Sequence, residues 1–241
     1  MIERVFSAVL WLGLTGAALI GLEHRVHGAS HERRRADWIK YAVFLLFIAT
    51  MLVVAHVGRS AVAVLVGLVS AACARELAGS VGRGWALPAS LVLFAAALGH
   101  LLAPGSRVFF LAFSRVVLVV GAADAFAQLS GKLLGRRRLC PKLSPGKTVE
   151  GLAGGFGGAL VVAFVLTRPP TWEDAFRVAA FALITAVAAV GGDLSFSAVK
   201  RAAGIKDFSR ALPGQGGFLD RFDSLMLGAP AGYWLQRWLL P

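Results

Sequence analysis

Residues 39–57, IKYAVFLLFIATMLVVAHV, form an apolar run long enough to cross a membrane as a single helix. The hydrocarbon core of a bilayer is about 30 Å thick and takes about 20 helical residues to span. Seven more such runs occur, at residues 5–22, 60–78, 85–103, 107–130, 151–167, 176–199 and 224–240. The 241 residues are 57% hydrophobic and 16% charged. The sequence therefore predicts a polytopic integral membrane protein with about eight transmembrane helices, and not a soluble globule.

The runs lack the alternation of membrane β-strands and far exceed the about 9–11 residues of such a strand. Helices satisfy every backbone group in lipid, so the predicted fold class is all-α. The chain is expected to form one integrated membrane domain. Residues 1–120 would supply N-terminal transmembrane helices, and residues 121–241 the catalytic part.

The basic residues predict the orientation. Every second connection between the predicted spans lies on the same side of the membrane. Of the 25 Lys and Arg, 17 fall on one side, 6 on the opposite side and 2 inside spans. The rich connections are residues 23–40, 79–84, 131–150 and 200–223. The positive-inside rule makes these cytoplasmic and puts both termini outside. The Ala- and Arg-rich composition favours a bacterial plasma (inner) membrane.

Several alternatives follow from the composition. The first run can be interpreted as a signal peptide, but the basic Arg33–Arg34–Arg35 segment follows it and no small-residue cleavage pattern is present, which favours an anchor. The net charge of +12 lies in short loops, which favours lipid headgroups and a phosphorylated substrate over nucleic acid. Cys73 and Cys140 support neither a disulfide nor a metal site.

Three acids lie within predicted spans, where an ionisable residue costs about 2.5–3.5 kcal/mol. Glu76, Asp124 and Asp193 all fall near cytoplasmic ends, so they are expected to converge on a cation. The alternative for Glu76 is that it ends its helix at the interface. Asp193 is the strongest candidate, because Ser197 and Lys200 follow at i+4 and i+7 on the same helical face.

The loop at 131–150 contains a GKT sequence, but Pro141 stands where a P-loop needs its first glycine and no strand precedes it, so a P-loop is rejected. Ser144, Lys147 and Thr148 are predicted to form a tight turn before the sixth span. Hydroxyls, an ammonium and free amides at a helix N-terminus suit a phosphate. The alternative is a polar turn with a Ser or Thr cap.

The loop at 200–223 is denser in polar groups. Lys200, Arg201 and Lys206 supply positive charge, and Asp220 and Asp223 lie one helical turn apart. One acid suffices to cap the eighth helix, so two exceed that need. Together with Asp193 they form a carboxylate set suited to Mg²⁺ bound with substrate phosphates.

These residues resemble the phosphatidate cytidylyltransferase family, also called CDP-diacylglycerol synthases. The resemblance is carried by a long C-terminal block and three shorter ones between Gly121 and Leu225. The blocks are S197-x-x-K200-R201-x4-K206-D207-x5-P213-G214-x-G216-G217-x2-D220-R221-x-D223, D124-x-F126, S144-P145-x-K147-T148-x-E150-G151 and G192-D193-L194. The residues before 121 match only as apolar spans.

The resemblance implies an enzyme that condenses CTP with phosphatidate to CDP-diacylglycerol and pyrophosphate, using Mg²⁺ and a monovalent cation such as K⁺, and it implies a homodimer. The predicted catalytic set is Asp193, Lys200, Asp220 and Asp223. The predicted metal ligands are Asp193, Asp220, Asp223 and Asp124. The predicted substrate-binding set is Ser144, Lys147, Thr148, Ser197, Arg201, Lys206, Asp207, Gly216 and Gly217.

One departure concerns Gln215, which stands where the family has histidine in P-G-H-G-G. Glutamine keeps a donor and an acceptor but cannot titrate, so a weakly active paralogue is one alternative. A CTP-dependent enzyme for another lipid phosphate is a second. A transporter with Glu76, Asp124 and Asp193 as an ion path is a third, although it would need polar residues throughout the membrane depth.

Overall fold

The computed structural model describes residues 2–28, 30–81, 106–209, 211 and 216–239. These residues form seven helices and one two-stranded hairpin. The helices are α1 (Ile2–Val26), α2 (His31–Val57), α3 (Arg59–Val81), α4 (Ser106–Leu134), α5 (Val149–Thr167), α6 (Trp172–Ala202) and α7 (Leu219–Leu239). The strands are β1 (Arg138–Cys140) and β2 (Ser144–Thr148).

Among the described residues, six helices, α1 to α6, are long and apolar enough to cross a membrane. The nearly all-helical, multi-span prediction is therefore confirmed, whereas the count of about eight is not. The predicted span at 85–103 lies outside the described residues. The predicted span at 224–240 corresponds to α7, which is 21 residues long but is not among the six.

The helices are longer than the apolar runs because polar turns continue them beyond the hydrocarbon. The α2 helix begins at His31, eight residues before the apolar run at 39. At this start the Ser30 hydroxyl accepts a hydrogen bond from Arg33 N at 3.3 Å. A Ser in this position satisfies a backbone amide that the helix leaves unpaired. The α6 helix extends over 31 residues, from Trp172, which is 92% exposed, to the basic segment at Lys200.

The core of the bundle is built around α4. Its residues Val116, Leu118, Val119 and Val120 are at most 1% exposed, and the helix packs against α1, α2, α5, α6 and α7. A helix that is apolar all round is expected in such a position. Other apolar side chains, such as Leu14 on α1, stay exposed on the outside of the bundle, as lipid contact requires.

Contacts between helix ends show which ends share a side. Lys132 Nζ, near the end of α4, lies 3.0 Å from Asp37 Oδ1, near the start of α2. His24 Nε2, at the end of α1, lies 3.2 Å from Asp37 Oδ2. The end of α3 meets the start of α7 through Glu76 and Leu219. Arg201 Nε, at the end of α6, donates to the Leu143 carbonyl of the segment that follows α4, at 3.3 Å. The described parts of the connections at 23–40, 131–150 and 200–223 therefore meet at one end of the bundle, called the polar end below.

An ion cluster joins three helices at the polar end. It consists of Glu23, His24, Arg33, Asp37 and Lys132. The ligand atoms of Glu23, His24 and Asp37 lie within 4.8 Å of one another, and all three residues are buried. Arg33 and Lys132 already balance the two carboxylates. The cluster is thus an ion-pair network that fastens α1 and α2 to α4.

The β1–β2 hairpin corrects the prediction of a tight turn at Ser144 to Thr148. These residues form an extended strand, antiparallel to β1, in which Arg138 pairs with Thr148 and Cys140 with Ser144. An edge position tolerates Pro145, because no backbone donor is needed on the open side. The Arg138 guanidinium donates to the Pro145 carbonyl at 2.6 Å. The β2 strand ends at Thr148 and α5 begins at Val149, so the helix fixes the direction in which the side chains of β2 point.

Candidate active site

The polar residues of the two predicted loops meet at the polar end of the bundle. Lys147 Nζ on β2 lies 2.5 Å from Asp193 Oδ2 on α6. The other oxygen, Asp193 Oδ1, accepts from the Ser197 hydroxyl at 3.2 Å, as the i+4 spacing predicts. The contact joins the segment at 131–150 to the last turns of α6, which the sequence alone placed in separate motifs.

Lys200 provides a second ammonium in a more enclosed position. It is 9% exposed, and its Nζ lies 2.7 Å from Asp220 Oδ1 and 3.9 Å from Asp223 Oδ2. The Phe208 ring covers it, with 5.4 Å between Nζ and the ring centroid. A buried ammonium is stable only when paired, and here two carboxylates and an aromatic face share that role.

Asp220 organises the backbone around it. Its Oδ2 accepts from Phe208 N and from Gly217 N, both at 2.9 Å. Gly216 has φ +82°, and a Cβ there would lie 2.8 Å from the same oxygen. Glycine is needed at this position for both reasons. The Asp220 carboxylate is therefore fully engaged by two amides and by Lys200.

Asp124, Asp193 and Asp223 form a group of acids that act on one another electrostatically. Asp124 hydrogen-bonds the Ser224 side chain, which places α4 against the first turns of α7. Within the described ranges, no three of the four predicted metal ligands bring their oxygens within 4.8 Å of one another.

Gly192 explains how α6 and α7 bring Asp193 and Asp223 together. A Cβ at Gly192 would lie 2.5 Å from the Asp223 backbone oxygen, so no larger residue fits at this crossing. The preceding Gly191 has no such neighbour within 4 Å in the described part of the chain. Of the two adjacent glycines, Gly192 is the one that sets the distance between the helices.

Of the remaining predicted substrate-binding residues, some form hydrogen bonds within the protein and others are exposed. The Thr148 hydroxyl caps α5, accepting from Gly151 N at 3.0 Å, so the cap that was the alternative interpretation is present. Arg201 Nε donates to the Leu143 carbonyl at 3.3 Å, which ties the hairpin to α6. Ser144 is half-buried on β2.

Lys206 and Asp207 are exposed between α6 and α7, and neither has a hydrogen bond or ion pair to another described residue. Both follow the last turn of α6 in the chain. Gln215, Pro213 and Gly214 lie outside the described residues.

Sequence reasoning missed the roles of two carboxylates. Glu76 does not join the acids of α4 and α6; it lies against the start of α7. Glu150 accepts from the backbone amides of Arg136 and Arg137, at 3.0 and 3.2 Å, and so holds the entry to the hairpin. Glu150 follows the Thr148 cap by two residues, not the three of a capping box, and acids are common in the first turn of a helix, so the sequence pattern does not reveal its contact with the hairpin.

Comparisons with known proteins show which family the chain resembles. The model of the cytidylyltransferase family matches residues 86–239. The phosphatidate cytidylyltransferase of Haemophilus influenzae is 42% identical over 120 residues, covering 48% of this chain and 42% of that protein. The enzyme of that name from Aquifex aeolicus is 46% identical over 112 residues, covering 46% and 41%.

The phosphatidate cytidylyltransferase of Brucella abortus is 38% identical over 161 residues, which cover 63% of this chain and 57% of that protein. The chain thus spans about half the length of the curated relatives it matches. The family match includes every predicted site residue from Asp124 to Asp223 and most of the chain's length. The chain belongs to the cytidylyltransferase family.

Proposed function

We propose that this protein is a phosphatidate cytidylyltransferase, which condenses CTP with phosphatidate to give CDP-diacylglycerol and pyrophosphate. The observation that carries the proposal is the meeting of Lys147 with Asp193 and of Lys200 with Asp220 and Asp223 at one end of a helical bundle. Paired ammonium and carboxylate groups at the end of membrane helices suit a reaction between a lipid phosphate and a water-soluble triphosphate. Family membership supplies the reaction class.

The reaction needs little proton transfer. A phosphate monoester has a second pKa of about 6 and is largely dianionic at neutral pH. One of its oxygens forms a bond to the α-phosphorus of CTP while the bond from that phosphorus to the oxygen bridging to the β-phosphorus breaks. Pyrophosphate leaves with that electron pair. Catalysis then depends on holding two anions together.

The two lysines are suited to that task. Lys147 is half-buried and reaches the site from β2, so its ammonium can exchange a carboxylate partner for a phosphate. Lys200 is held in place by Asp220, Asp223 and Phe208. We assign Lys147 to a phosphate that arrives from solution and Lys200 to a fixed positive charge beneath it. Exposed Lys206 and Arg201 would attract the nucleotide.

The proposal includes Mg²⁺, with K⁺ as a second cation. The donors fit a hard cation because Asp124, Asp193 and Asp223 offer carboxylate oxygens without sulfur or imidazole. Asp220 belongs to the proposed set as well, although its bonds to Lys200, Phe208 and Gly217 would have to be shared. Bound cations would neutralise phosphate charge and orient the triphosphate.

We also propose that the polar end of the bundle faces the cytoplasm in a bacterial inner membrane, and that the protein acts as a homodimer. The excess of basic residues at this end supports the orientation. CTP is a cytoplasmic metabolite, which agrees with it. Labelling of single cysteines at Lys142 and at Trp172 with a membrane-impermeant thiol reagent tests the orientation, in a background with Cys73 and Cys140 replaced. Labelling of intact cells at 142 would contradict it.

The activity test uses the full chain in lipid nanodiscs with radiolabelled CTP. The lipids compared are phosphatidate, an ether-linked analogue and a polyprenyl phosphate, each over a range of Mg²⁺ concentrations. We expect CDP-diacylglycerol from phosphatidate, no product in EDTA, and loss of product for Asp223→Asn. Glu173→Gln, an exposed acid at the opposite end of α6, is the matched control. Product from the polyprenyl phosphate alone would overturn the assignment of substrate.

A further inference from the structure

Glu76 connects α3 to the start of α7. Its Oε1 accepts from the Ser209 hydroxyl at 2.6 Å and from Phe218 N at 3.0 Å, and its Oε2 accepts from Leu219 N at 2.9 Å. Both oxygens of one carboxylate therefore bind the segment that leads into α7. Glu76 lies before residue 86, outside the part of the chain that matches the family.

The carboxylate acts as a helix cap supplied by another helix. The first amides of a helix have no partner inside it, and negative charge is favourable there because of the helix dipole. Leu219 is the first residue of α7, and Gly217 and Phe218 before it carry no side chain that could accept from its amide. Glu76 fills that role.

The surroundings leave little freedom for this contact. A Cβ at Gly217 would overlap the Glu76 carboxylate, so the backbone passes directly against it. One turn further along α3, the Ser80 hydroxyl donates to the Phe208 carbonyl at 2.7 Å. Between these positions Leu77 is 1% exposed, and Cys73 one turn earlier is fully buried, so α3 is anchored in the core at this depth.

The consequence concerns Asp220 and Asp223. Asp220 follows Leu219 directly, and its Oδ2 binds Gly217 N and Phe208 N within the same segment. If the amides of Phe218 and Leu219 lose their acceptor, the first turn of α7 is no longer fixed. Both acids and their distance to Lys200 would then shift.

We infer that Glu76 is a positioning residue for the proposed nucleotidyl transfer, and that α3 contributes through it to the site. The inference rests on the proposed function for its kinetic consequence, but its structural consequence can be measured separately. The carboxylate touches no reacting group. It acts through the first turn of α7.

The main variant is Glu76→Gln, which keeps the size but points a donor at one of the two amides. We expect kcat to fall on the order of 10- to 100-fold, as for other small displacements of catalytic groups, while KM for phosphatidate changes little. The Mg²⁺ concentration for half-maximal activity should rise. Glu76→Asp should recover part of kcat, and the neighbouring exposed Arg75→Gln should behave as wild type.

Hydrogen exchange followed by mass spectrometry supplies a readout that does not depend on turnover. In Glu76→Gln, amides in a peptide covering residues 217–222 should exchange faster, with those of α4 and α5 unchanged. A merely structural role for Glu76 would lower the unfolding temperature while leaving kcat per folded molecule and exchange at 217–222 as in wild type, and that result would overturn the inference.

The two hypotheses fail in different ways. If the wild-type chain forms no product from CTP with any lipid phosphate, the proposed function fails. The inference can still be tested by hydrogen exchange in that case, and unchanged exchange at 217–222 in Glu76→Gln would overturn it. If the wild type is active and Glu76→Gln matches it in kcat, Mg²⁺ dependence and exchange, the function stands and the inference fails. Ser209→Ala, which removes one donor to the same carboxylate, should show a smaller effect in the same direction.

Discussion

Lys147 on β2 and Asp193 on α6 form an ion pair, with 2.5 Å between Nζ and Oδ2. The pair joins the hairpin to α6, the helix that also carries Ser197 and Lys200. Asp193 is half-buried, so water weakens the attraction only in part. The pair also holds the Lys147 ammonium at the site, where a phosphate could take over one of its bonds.

Removal of this lysine should affect the reaction more than the fold. For Lys147→Met we expect kcat/KM for CTP to fall on the order of 100-fold, because one preorganised positive group is lost from the phosphates. Lys142→Met is the matched control, since Lys142 is an exposed lysine of the same hairpin. Steady-state rates with varied CTP measure the effect. Equal losses in the two variants would contradict a specific role for Lys147.

The two adjacent glycines of α6 should respond differently to the same substitution. Gly192→Ala places a methyl group 2.5 Å from the Asp223 backbone oxygen and should force α6 and α7 apart, with loss of most activity. Gly191→Ala meets no described atom within 4 Å and should gain slightly in helix propensity. Activity and unfolding temperature of both purified variants test this. A tolerated Gly192→Ala would show that the helix crossing is not as tight as described.

Lys200 should matter for stability as well as for activity. Lys200→Met leaves Asp220 and Asp223 buried without their ammonium, and breaking such a pair costs about 3–5 kcal/mol. We expect the unfolding temperature of Lys200→Met in detergent to fall below that of the wild type, and to fall further than that of Lys142→Met. The double variant Lys200→Met with Asp220→Asn should regain part of that stability while staying inactive. A single variant as stable as wild type would argue against the pairing.

The ion cluster should stabilise the N-terminal helices without taking part in the reaction. Asp37→Asn removes the carboxylate that Lys132 and His24 share, and we expect a loss of about 1–3 kcal/mol in the free energy of unfolding, because Asp37 is buried whereas the Lys132 side chain is 36% exposed. Glu32→Gln, at an exposed position of the same helix, is the control. Thermal unfolding measures the difference. KM for CTP should be unchanged, and a change in it alone would point to a role in binding.

The sequence predicted six of the described helices as spans, because lipid leaves the backbone few alternatives. The run at 151–167 became α5 (Val149–Thr167), and the run at 107–130 became α4 (Ser106–Leu134). The differences arise at the ends, where capping by Thr148 or by Ser30 extends a helix beyond its apolar part. Hydropathy carries no information on such extensions.

The contacts within the site were harder to predict from the sequence. Helical spacing predicted that Ser197 would face Asp193, since both lie on one helix. It could not predict that Lys147 would pair with Asp193, because that contact depends on how the hairpin folds back. Glu76 was grouped with Asp124 and Asp193 by depth alone, and depth does not tell which neighbour a helix face meets. Only the packing of α3 against α7 assigns it to the Leu219 amide.

The length of α6 sets the depth of the site. From Trp172 to Lys200 the helix rises about 42 Å at 1.5 Å per residue, close to the about 40–45 Å between the outer surfaces of the two headgroup layers. With Trp172 at one interface, where tryptophan concentrates, Lys200 reaches the headgroup layer of the other leaflet. Asp193, seven residues earlier, lies about 10 Å deeper, near the hydrocarbon boundary. If the substrate is the lipid phosphate proposed above, it would meet the site at its resting depth, and its acyl chains need not leave the bilayer for reaction.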